Sequence, residues 1–376
     1  MDVPWTLVTD LQSTRPTALT SRVPAVDPAR LVAELVPPPH FATASFESYV
    51  PDPVHPSQAA AVQRLRDAAQ AVGRGAGSSW LRRRRTQPEA VYLDGGFGVG
   101  KTHLLAALAH AVTAAGHRAA FGTFVEYTNL VGALGFRQTV DALAAHRLVC
   151  IDEFELDDPG DTVLMSRLLR ELADHGVALA ATSNTLPGSL GEGRFAADDF
   201  LREIQALAAR FDVLRIDGDD YRHRSVEHGE ALDDDAVRAA LAGRAGATLD
   251  DFGALLDHLA TVHPSKYGAL LDGVTLVGLT GVHGVRKQDV ALRLVVLVDR
   301  LYDRDVPVLL GGGGTDGLFS EEMRRGGYRK KYYRALSRLG ALASEGAALA
   351  AATAASTTDA PTTSAPTTSA PPAVGA

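Results

Sequence analysis

Short apolar runs alternate with amphipathic helical patterns through the middle of the chain. Between the runs, apolar residues recur at the spacing of one helix face, as in Thr102–Ala115 and Asp161–His175. Alternating strands and helices predict an α/β fold with a five-stranded parallel sheet that is covered by helices on both faces. The runs with the length of buried strands are Ala90–Asp94, His117–Phe124, Leu148–Asp152, Ala178–Ser183 and Asp212–Asp217.

Composition shifts divide the chain into four predicted parts. Residues 1–50 are rich in proline and show no sustained period, which favours an extended N-terminal arm. A helix over Pro56–Val72 begins the α/β core, which we place at 51–230, and residues 231–346 predict a second, mainly helical domain. From 347 to 376 the sequence reduces to Ala, Thr, Ser and Pro. This composition buries too little apolar surface to offset the entropy of ordering, so we expect a disordered tail.

Composition and charge narrow the class of protein. The 376 residues are 46% hydrophobic and 22% charged, which suits a globular protein with buried cores. A net charge of −8 argues against a general nucleic-acid coat protein, although the run Arg82–Arg85 leaves a local basic contact open. The single cysteine, Cys150, excludes an internal disulfide and a cysteine-based zinc site. We recognise neither a secretory leader nor an apolar run of ~18–20 residues, and therefore expect a cytoplasmic protein without a membrane span.

One segment has the spacing of a phosphate-binding loop and lies between a predicted strand and a predicted helix. Glycines let successive backbone N–H groups point at phosphate oxygens, and the positive end of the following helix adds to the attraction. Lys101 is expected to reach the β- and γ-phosphates of ATP, and Thr102 to ligate Mg²⁺. The segment reads Gly95-Gly96-Phe97-Gly98-Val99-Gly100-Lys101-Thr102.

Polar residues end two further predicted strands. Ligands bind at the carboxyl ends of the strands in such sheets, so we expect Asp152 to hold Mg²⁺ through water. Glu153 is then placed to orient the water that attacks the γ-phosphate, and this pair of acids favours an ATPase over a small-molecule kinase. Asn184 ends the next strand, where it would hold the attacking water. An Asx turn leading into Pro187 is the alternative for Asn184.

Three sequence blocks resemble the ZapE-type ATPases, and the likeness covers about residues 45–345. The blocks are Leu148–Leu156, with the tripeptide Asp-Glu-Phe; Leu297–Asp303, which reads Leu-Val-Asp-Arg-Leu-Tyr-Asp; and Arg334–Leu339. The resemblance implies a P-loop ATPase of the AAA+ type with a helical C-terminal lid. It further implies Mg²⁺-dependent ATP hydrolysis that remodels a protein partner, either in cell division through the GTPase FtsZ or in protein quality control.

The same resemblance implies roles for several arginines. Arg293 matches an arginine of the lid helix, where AAA+ proteins often keep a second nucleotide sensor, although Leu292 replaces the other arginine of the usual pair. AAA+ proteins also place an arginine finger at a subunit interface, so we expect ATP-dependent self-association with Arg194 or Arg202 as the finger. A nucleic-acid-linked AAA+ ATPase, such as a helicase loader or a transposition ATPase, is the alternative function, and Arg82–Arg85 would serve it.

Overall fold

Two parallel β-sheets organise the chain, one in the N-terminal region and one in the C-terminal region. A computed structural model describes residues 16–74, 88–96, 98–154, 159–185, 209–218 and 231–358. The first sheet has five strands and the second has three, and every neighbouring pair of strands within them is parallel. Carboxyl ends of strands therefore meet along one edge of each sheet.

The first sheet has the strand order β2-β3-β4-β1-β5. All residues of β3 and β4 are buried, as expected for central strands that are covered on both faces. The five strands predicted from the sequence are confirmed, and their ends differ from the prediction by two residues at most. The strands are β1 (Ala90–Gly95), β2 (Ala119–Thr123), β3 (Leu148–Asp152), β4 (Ala178–Ser183) and β5 (Asp212–Ile216).

Helices cover both faces of this sheet, as the sequence predicts. They are α1 (Pro28–Ala33), α2 (Pro56–Arg74), α3 (Lys101–Ala114), α4 (Phe124–Leu134), α5 (Phe136–Leu143) and α6 (Pro159–Asp174). On one face α2 and α3 pack against the strands through residues such as Leu65 and Leu104. On the other face α4 and α6 do so through residues such as Tyr127 and Leu168. Because α3 is anchored by this packing, the loop that precedes it has a fixed position.

The C-terminal region is mainly helical, as expected, but it is built around a three-stranded sheet that the sequence analysis did not predict. The order is β6-β7-β8, and all residues of β7 and β8 are buried. A strand of three residues, such as β8, is too short to show a period. The elements are α7 (Asp234–Leu241), β6 (Ala247–Asp251), α8 (Phe252–Thr261), α9 (Tyr267–Leu270), β7 (Leu276–Thr280), α10 (Gln288–Asp303), β8 (Val308–Leu310), α11 (Glu321–Arg325) and α12 (Arg329–Thr358).

The last helix corrects the predicted boundary of the tail. Helix α12 continues to Thr358, so the expectation that the chain is disordered from 347 onward is wrong for residues 347–358. These residues are rich in alanine, which has the highest helix propensity, and the helix therefore continues where bulky apolar residues stop. Residues 359–376 lie outside the described part of the chain. Neither α12 nor any other described helix is long and apolar enough to cross a membrane.

The N-terminal segment packs against both regions instead of extending away from them. The buried carboxylate of Asp250, in β6, accepts hydrogen bonds from the backbone N–H groups of Leu19 and Thr20, each at 2.9 Å. Farther along, the carbonyl of Leu35 accepts a hydrogen bond of 2.9 Å from Phe121 N–H in β2. The expectation of an extended arm over 1–50 is corrected for its described part, which links the two sheets.

Candidate functional site

The loop after β1 has the backbone that a phosphate-binding loop requires. Gly100 has a φ of 85° and precedes the first residue of α3. A side chain there would also collide with Tyr49, since an added Cβ would lie 2.5 Å from Cε2 of its ring. Gly95 approaches the backbone carbonyl of Ile216 in β5 so closely that an added Cβ would overlap it. Only glycine fits these two positions, and the N-terminus of α3 points its N–H groups at the loop. Phe97 lies outside the described residues.

Lys101 is the first residue of α3 and is buried. Its ammonium donates hydrogen bonds of 2.8 Å to the carbonyl of Gly95 and to Oδ1 of Asn184. Asn184 directly follows β4, and β4 pairs with β1, so the carboxyl ends of these neighbouring strands bring the two side chains together. A cation held over the loop in this way is placed to bind phosphate oxygens.

Asp152 ends β3, where two threonine hydroxyls hold its carboxylate. Thr102 donates to it at 3.1 Å, and Thr182 of β4 donates at 2.5 Å. Burial and the neighbouring charge of Glu153 raise the pKa of Asp152 to about 6. Burial penalises the ionised form of this carboxylate. A cation close to Asp152 would offset that penalty and stabilise the ionised form. The sequence analysis assigned no contact to Thr182, since its partner lies on a different strand.

Glu153 follows β3 in a left-handed conformation, with a φ of 54°. Its N–H donates a hydrogen bond of 3.1 Å to the hydroxyl of Thr182, which fixes this turn from the neighbouring strand. A non-glycine residue in this conformation costs on the order of 1–3 kcal/mol, and such strain is concentrated at functional sites. The carboxylate of Glu153 reaches the C-terminal region, where it pairs with Arg334 and lies 3.5 Å from Nη2 of Arg338.

Arg334 and Arg338 lie one turn apart on α12 and each faces two carboxylates. Besides Glu153, both bind Asp299 of α10, Arg334 at 2.8 Å and Arg338 at 2.6 Å. Burial opposes the ionisation of Asp299, yet the charges of the two arginines lower its pKa. Four charged side chains from β3, α10 and α12 therefore form one network that joins the two regions. We call it the arginine bridge.

A cavity of about 530 Å³ is lined by three members of the arginine bridge and by the two residues expected to hold the metal. Its lining includes Thr102, Asp152 and Glu153 from the edge of the first sheet, and Arg334 and Arg338 from α12. This volume lies within the ~300–1,000 Å³ that is usual for small-molecule sites. The phosphate-loop helix, the acidic strand end and the C-terminal helix thus share one space.

Arg293 lies in the C-terminal region, as the resemblance implies, and its role as a second nucleotide sensor stays a prediction. It lies in α10 and donates hydrogen bonds of 3.0 and 3.1 Å to the carbonyls of Leu259 and Val262, at the end of α8. These contacts tie two elements of the C-terminal region together, and among the described residues no hydrogen bond or ion pair joins Arg293 to the phosphate loop. The arginines that reach the site are Arg334 and Arg338, which the sequence analysis named only within a family-like block. Arg194, Arg202 and Arg82–Arg85 lie outside the described residues.

Known proteins share sequence with much of this chain. A family model described as AFG1-like ATPase matches residues 25–241 and 229–349. Cell division protein ZapE of Escherichia coli strain K12 is 30% identical over 162 residues, which are 40% of this chain and 43% of that protein. An uncharacterized protein of Schizosaccharomyces pombe is 29% identical over 150 residues, which are 36% of this chain and 33% of that one. The matched part spans less than half the length of these relatives.

Solved structures that are similar include AMPPCP-bound DnaA from Aquifex aeolicus. It is 15% identical with a TM-score of 0.37, and the match covers 50% of this chain and 54% of that one. Domain III of the replication initiation protein DnaA from Thermotoga maritima is 18% identical with a TM-score of 0.36. That match covers 54% of this chain and 72% of the other.

Proposed function

Because the chain belongs to the AFG1-like ATPase family, we propose that it is a Mg²⁺-dependent ATPase that couples ATP hydrolysis to the remodelling of a protein partner. Its fold is that of a P-loop NTPase of the AAA+ type, with the five-stranded parallel sheet and the mainly helical C-terminal region that the sequence predicts. The observation that carries the proposal is that Thr102, Asp152 and Glu153 line one cavity, next to a glycine loop over which the ammonium of Lys101 is held.

The donor set beside the loop fits a hydrated Mg²⁺. Thr102 and Asp152 offer a hydroxyl and a carboxylate whose oxygens lie 3.1 Å apart, and Mg²⁺ prefers oxygen ligands with several waters retained. Among the described residues, no group of three or more His, Cys, Asp or Glu is arranged to hold a metal ion. When bound, such a cation neutralises charge on the β- and γ-phosphates.

The remaining residues divide the work of binding and hydrolysis. The loop N–H groups and the ammonium of Lys101 bind the phosphates, and Asn184, whose Oδ1 lies 2.8 Å from that ammonium, holds the attacking water. Glu153 orients this water and accepts its proton as the new bond to the γ-phosphorus forms, while the bond from that phosphorus to the β–γ bridging oxygen breaks and ADP leaves. Thr182 positions both acids, because its hydroxyl donates to Asp152 and accepts from the N–H of Glu153.

The partner and the assembly are proposed from the relatives. One relative is named as a cell division protein, so we propose a division protein as the partner, with FtsZ as the first candidate and a substrate of protein quality control as the second. ATP-dependent self-association through an arginine finger belongs to the same proposal, and a requirement for ATP agrees with the expected cytoplasmic location. A nucleic-acid partner is not favoured, because the chain carries a net charge of −8.

The proposal is tested by ATP binding and turnover of the purified chain with and without Mg²⁺. We expect Mg²⁺-dependent hydrolysis in the wild type, and we expect Lys101→Ala to abolish ATP binding at micromolar nucleotide. Lys287→Ala, at an exposed position before α10, is the control and should behave as the wild type. Tight ATP binding by Lys101→Ala would contradict the phosphate-loop assignment. Stimulation by FtsZ supports the division partner, whereas stimulation by single-stranded DNA alone supports the nucleic-acid alternative.

A further inference from the structure

Both carboxylate oxygens of Glu153 are occupied by arginines of α12. Oε2 pairs with Arg334 and Oε1 lies 3.5 Å from Nη2 of Arg338. The side chains are shielded, with exposed fractions of 24% for Glu153, 20% for Arg334 and 19% for Arg338. A carboxylate whose two oxygens both face guanidinium groups directs its acceptor positions at the arginines and not at an attacking water. The ion pairs and the proposed work of Glu153 therefore exclude one another.

The arginines are fixed from the side of the C-terminal region. Asp299 binds both of them, and the ring of Tyr302 lies under the guanidinium of Arg338, with 4.9 Å between the Cζ atom and the ring centroid. Glu153, by contrast, belongs to the turn after β3. The contact between Glu153 and the arginines is therefore the part of the arginine bridge that can break while Asp299 keeps the arginine pair in place.

The same arginines line the cavity that contains Thr102 and Asp152. Thr102 follows Lys101 at the N-terminus of α3, so the cavity that Arg334 and Arg338 line reaches the helix end at which phosphate is proposed to bind. Phosphate presents several oxygens and more than one negative charge, and guanidinium groups bind it through paired hydrogen bonds. It is a stronger ligand for two adjacent arginines than a single carboxylate is.

We propose that Glu153 and the terminal phosphate of ATP compete for Arg334 and Arg338. The inference rests on the proposed ATPase function and adds a regulatory step to it. Binding of ATP transfers the arginines from Glu153 to the terminal phosphate, which frees Glu153 to orient water. ADP lacks that phosphate and leaves the arginines on Glu153. Arg334 and Arg338 thus act as positioning residues that hold Glu153 inactive until the group to be hydrolysed is present.

The test is a double-mutant cycle on nucleotide affinity. The dissociation constants of a non-hydrolysable ATP analogue and of ADP are measured for the wild type, Glu153→Gln, Arg334→Gln and the double variant. Glu153→Gln frees the arginines for the terminal phosphate. We therefore expect the dissociation constant of the ATP analogue to fall about tenfold relative to that of ADP, which is the effect of one gained charge-assisted hydrogen bond. In the Arg334→Gln background the same substitution should tighten the analogue much less.

Simple charge repulsion makes the opposite prediction for the cycle. Removing the negative charge of Glu153 also reduces its repulsion of phosphate, but that effect is as large or larger when Arg334 no longer screens it. Equal or greater tightening in the Arg334→Gln background would therefore overturn the inference. Arg325→Gln, at an arginine on α11 whose side chain is 79% exposed, is the matched control and should leave the effect of Glu153→Gln unchanged.

Further measurements distinguish a variant that does not fold from a failure of the proposed competition. An ADP affinity close to the wild-type value shows that a variant retains a folded nucleotide site, and Arg338→Gln replaces Arg334→Gln in the cycle where the latter does not fold. A wild type that binds neither nucleotide contradicts the proposed function, and the inference falls with it. A wild type that binds both, with a cycle that shows no dependence on the arginines, contradicts the competition alone.

Discussion

Among single residues, Glu153 is the one whose substitution should stop hydrolysis of ATP without preventing its binding. Glu153→Gln keeps the shape of the side chain but cannot accept a proton from water. We expect ATP binding to be retained and turnover to fall by ~10²-fold or more, which is typical for the loss of a positioned base. Steady-state ATPase rates and equilibrium binding of a labelled ATP analogue measure the two effects. Glu322→Gln, on the exposed side of α11, is the control; wild-type turnover in Glu153→Gln would remove Glu153 from the mechanism.

Asp303 predicts a dependence of stability on pH. Burial is the main cause that raises the pKa of Asp303 to about 7; the charges of Glu126 and Asp299 contribute to the rise, while those of Arg338 and Arg300 oppose it. Between about pH 4 and pH 7 the folded protein therefore binds a proton that the unfolded chain has lost, and stability falls as the pH rises. Asparagine does not titrate, so the free energy of unfolding of Asp303→Asn should not fall in this way. Between pH 5 and pH 7 it should therefore rise by roughly 2 kcal/mol relative to that of the wild type.

Urea denaturation at a series of pH values measures this difference. Asp257→Asn, at an exposed aspartate of α8, serves as the control and should follow the pH profile of the wild type. Parallel profiles for Asp303→Asn and the wild type between pH 5 and pH 7 would show that Asp303 is ionised throughout that range.

The site residues that could be predicted from the sequence are those whose role is indicated by a short, local sequence pattern. Lys101 and Thr102 belong to one loop, and Asp152 ends one apolar strand, so spacing alone identifies them. Thr182 and Arg334 escape this reasoning, because each acts through a partner that lies far away in the chain. Their contacts follow from the strand order and from the path of α12, which no local pattern contains.

Helix α12 packs so closely on β8 that replacing a glycine in the contact should destabilise the protein. Gly346 lies so close to the carbonyl of Val308 that an added Cβ would overlap it. Gly346→Ala gains up to about 1 kcal/mol of helix propensity, but overpacking against backbone typically costs 1–3 kcal/mol or more. We therefore expect Gly346→Ala to lower the free energy of unfolding, as measured by urea denaturation.

A second helical glycine provides the matched control for this prediction. An added Cβ at Gly73, in α2, would lie 3.7 Å from the Cβ of Ala115, which is ordinary van der Waals contact. Gly73→Ala gains the same propensity without a clash and should be neutral or stabilising. If both variants are stabilised alike, α12 does not pack on β8 as tightly as the structure has it.

The elements themselves were predictable in proportion to their length and burial. The central strands β1, β3 and β4 are mainly apolar runs, as is typical of strands buried on both faces, whereas the edge strand β5 is largely exposed. In the C-terminal region β8 has only three residues, and the alanine-rich end of α12 has a composition that also suits a tail. Both were missed because their structure depends on packing partners and not on the pattern within the segment.

Assembly is the property that belongs to the whole molecule. In P-loop ATPases, an arginine that one subunit supplies to the γ-phosphate bound by its neighbour raises the rate of hydrolysis by about 10³–10⁵-fold. We expect ATP to promote self-association and specific activity to rise with protein concentration, as measured by light scattering and by ATPase assays over a dilution series. Arg194 is the first candidate for the finger and Arg202 the second.

Mixing two inactive variants tests whether the arginine acts across an interface. Subunits with Lys101→Ala cannot bind ATP but carry an intact Arg194, whereas subunits with Arg194→Ala bind ATP but lack the finger. If Arg194 acts in trans, mixed assemblies contain sites that are complete, so the activity of the mixture should exceed the sum of the separate activities. Activities that merely add at every ratio, while each variant still assembles, would exclude Arg194, and the same mixture made with Arg202→Ala would then decide whether Arg202 takes its place.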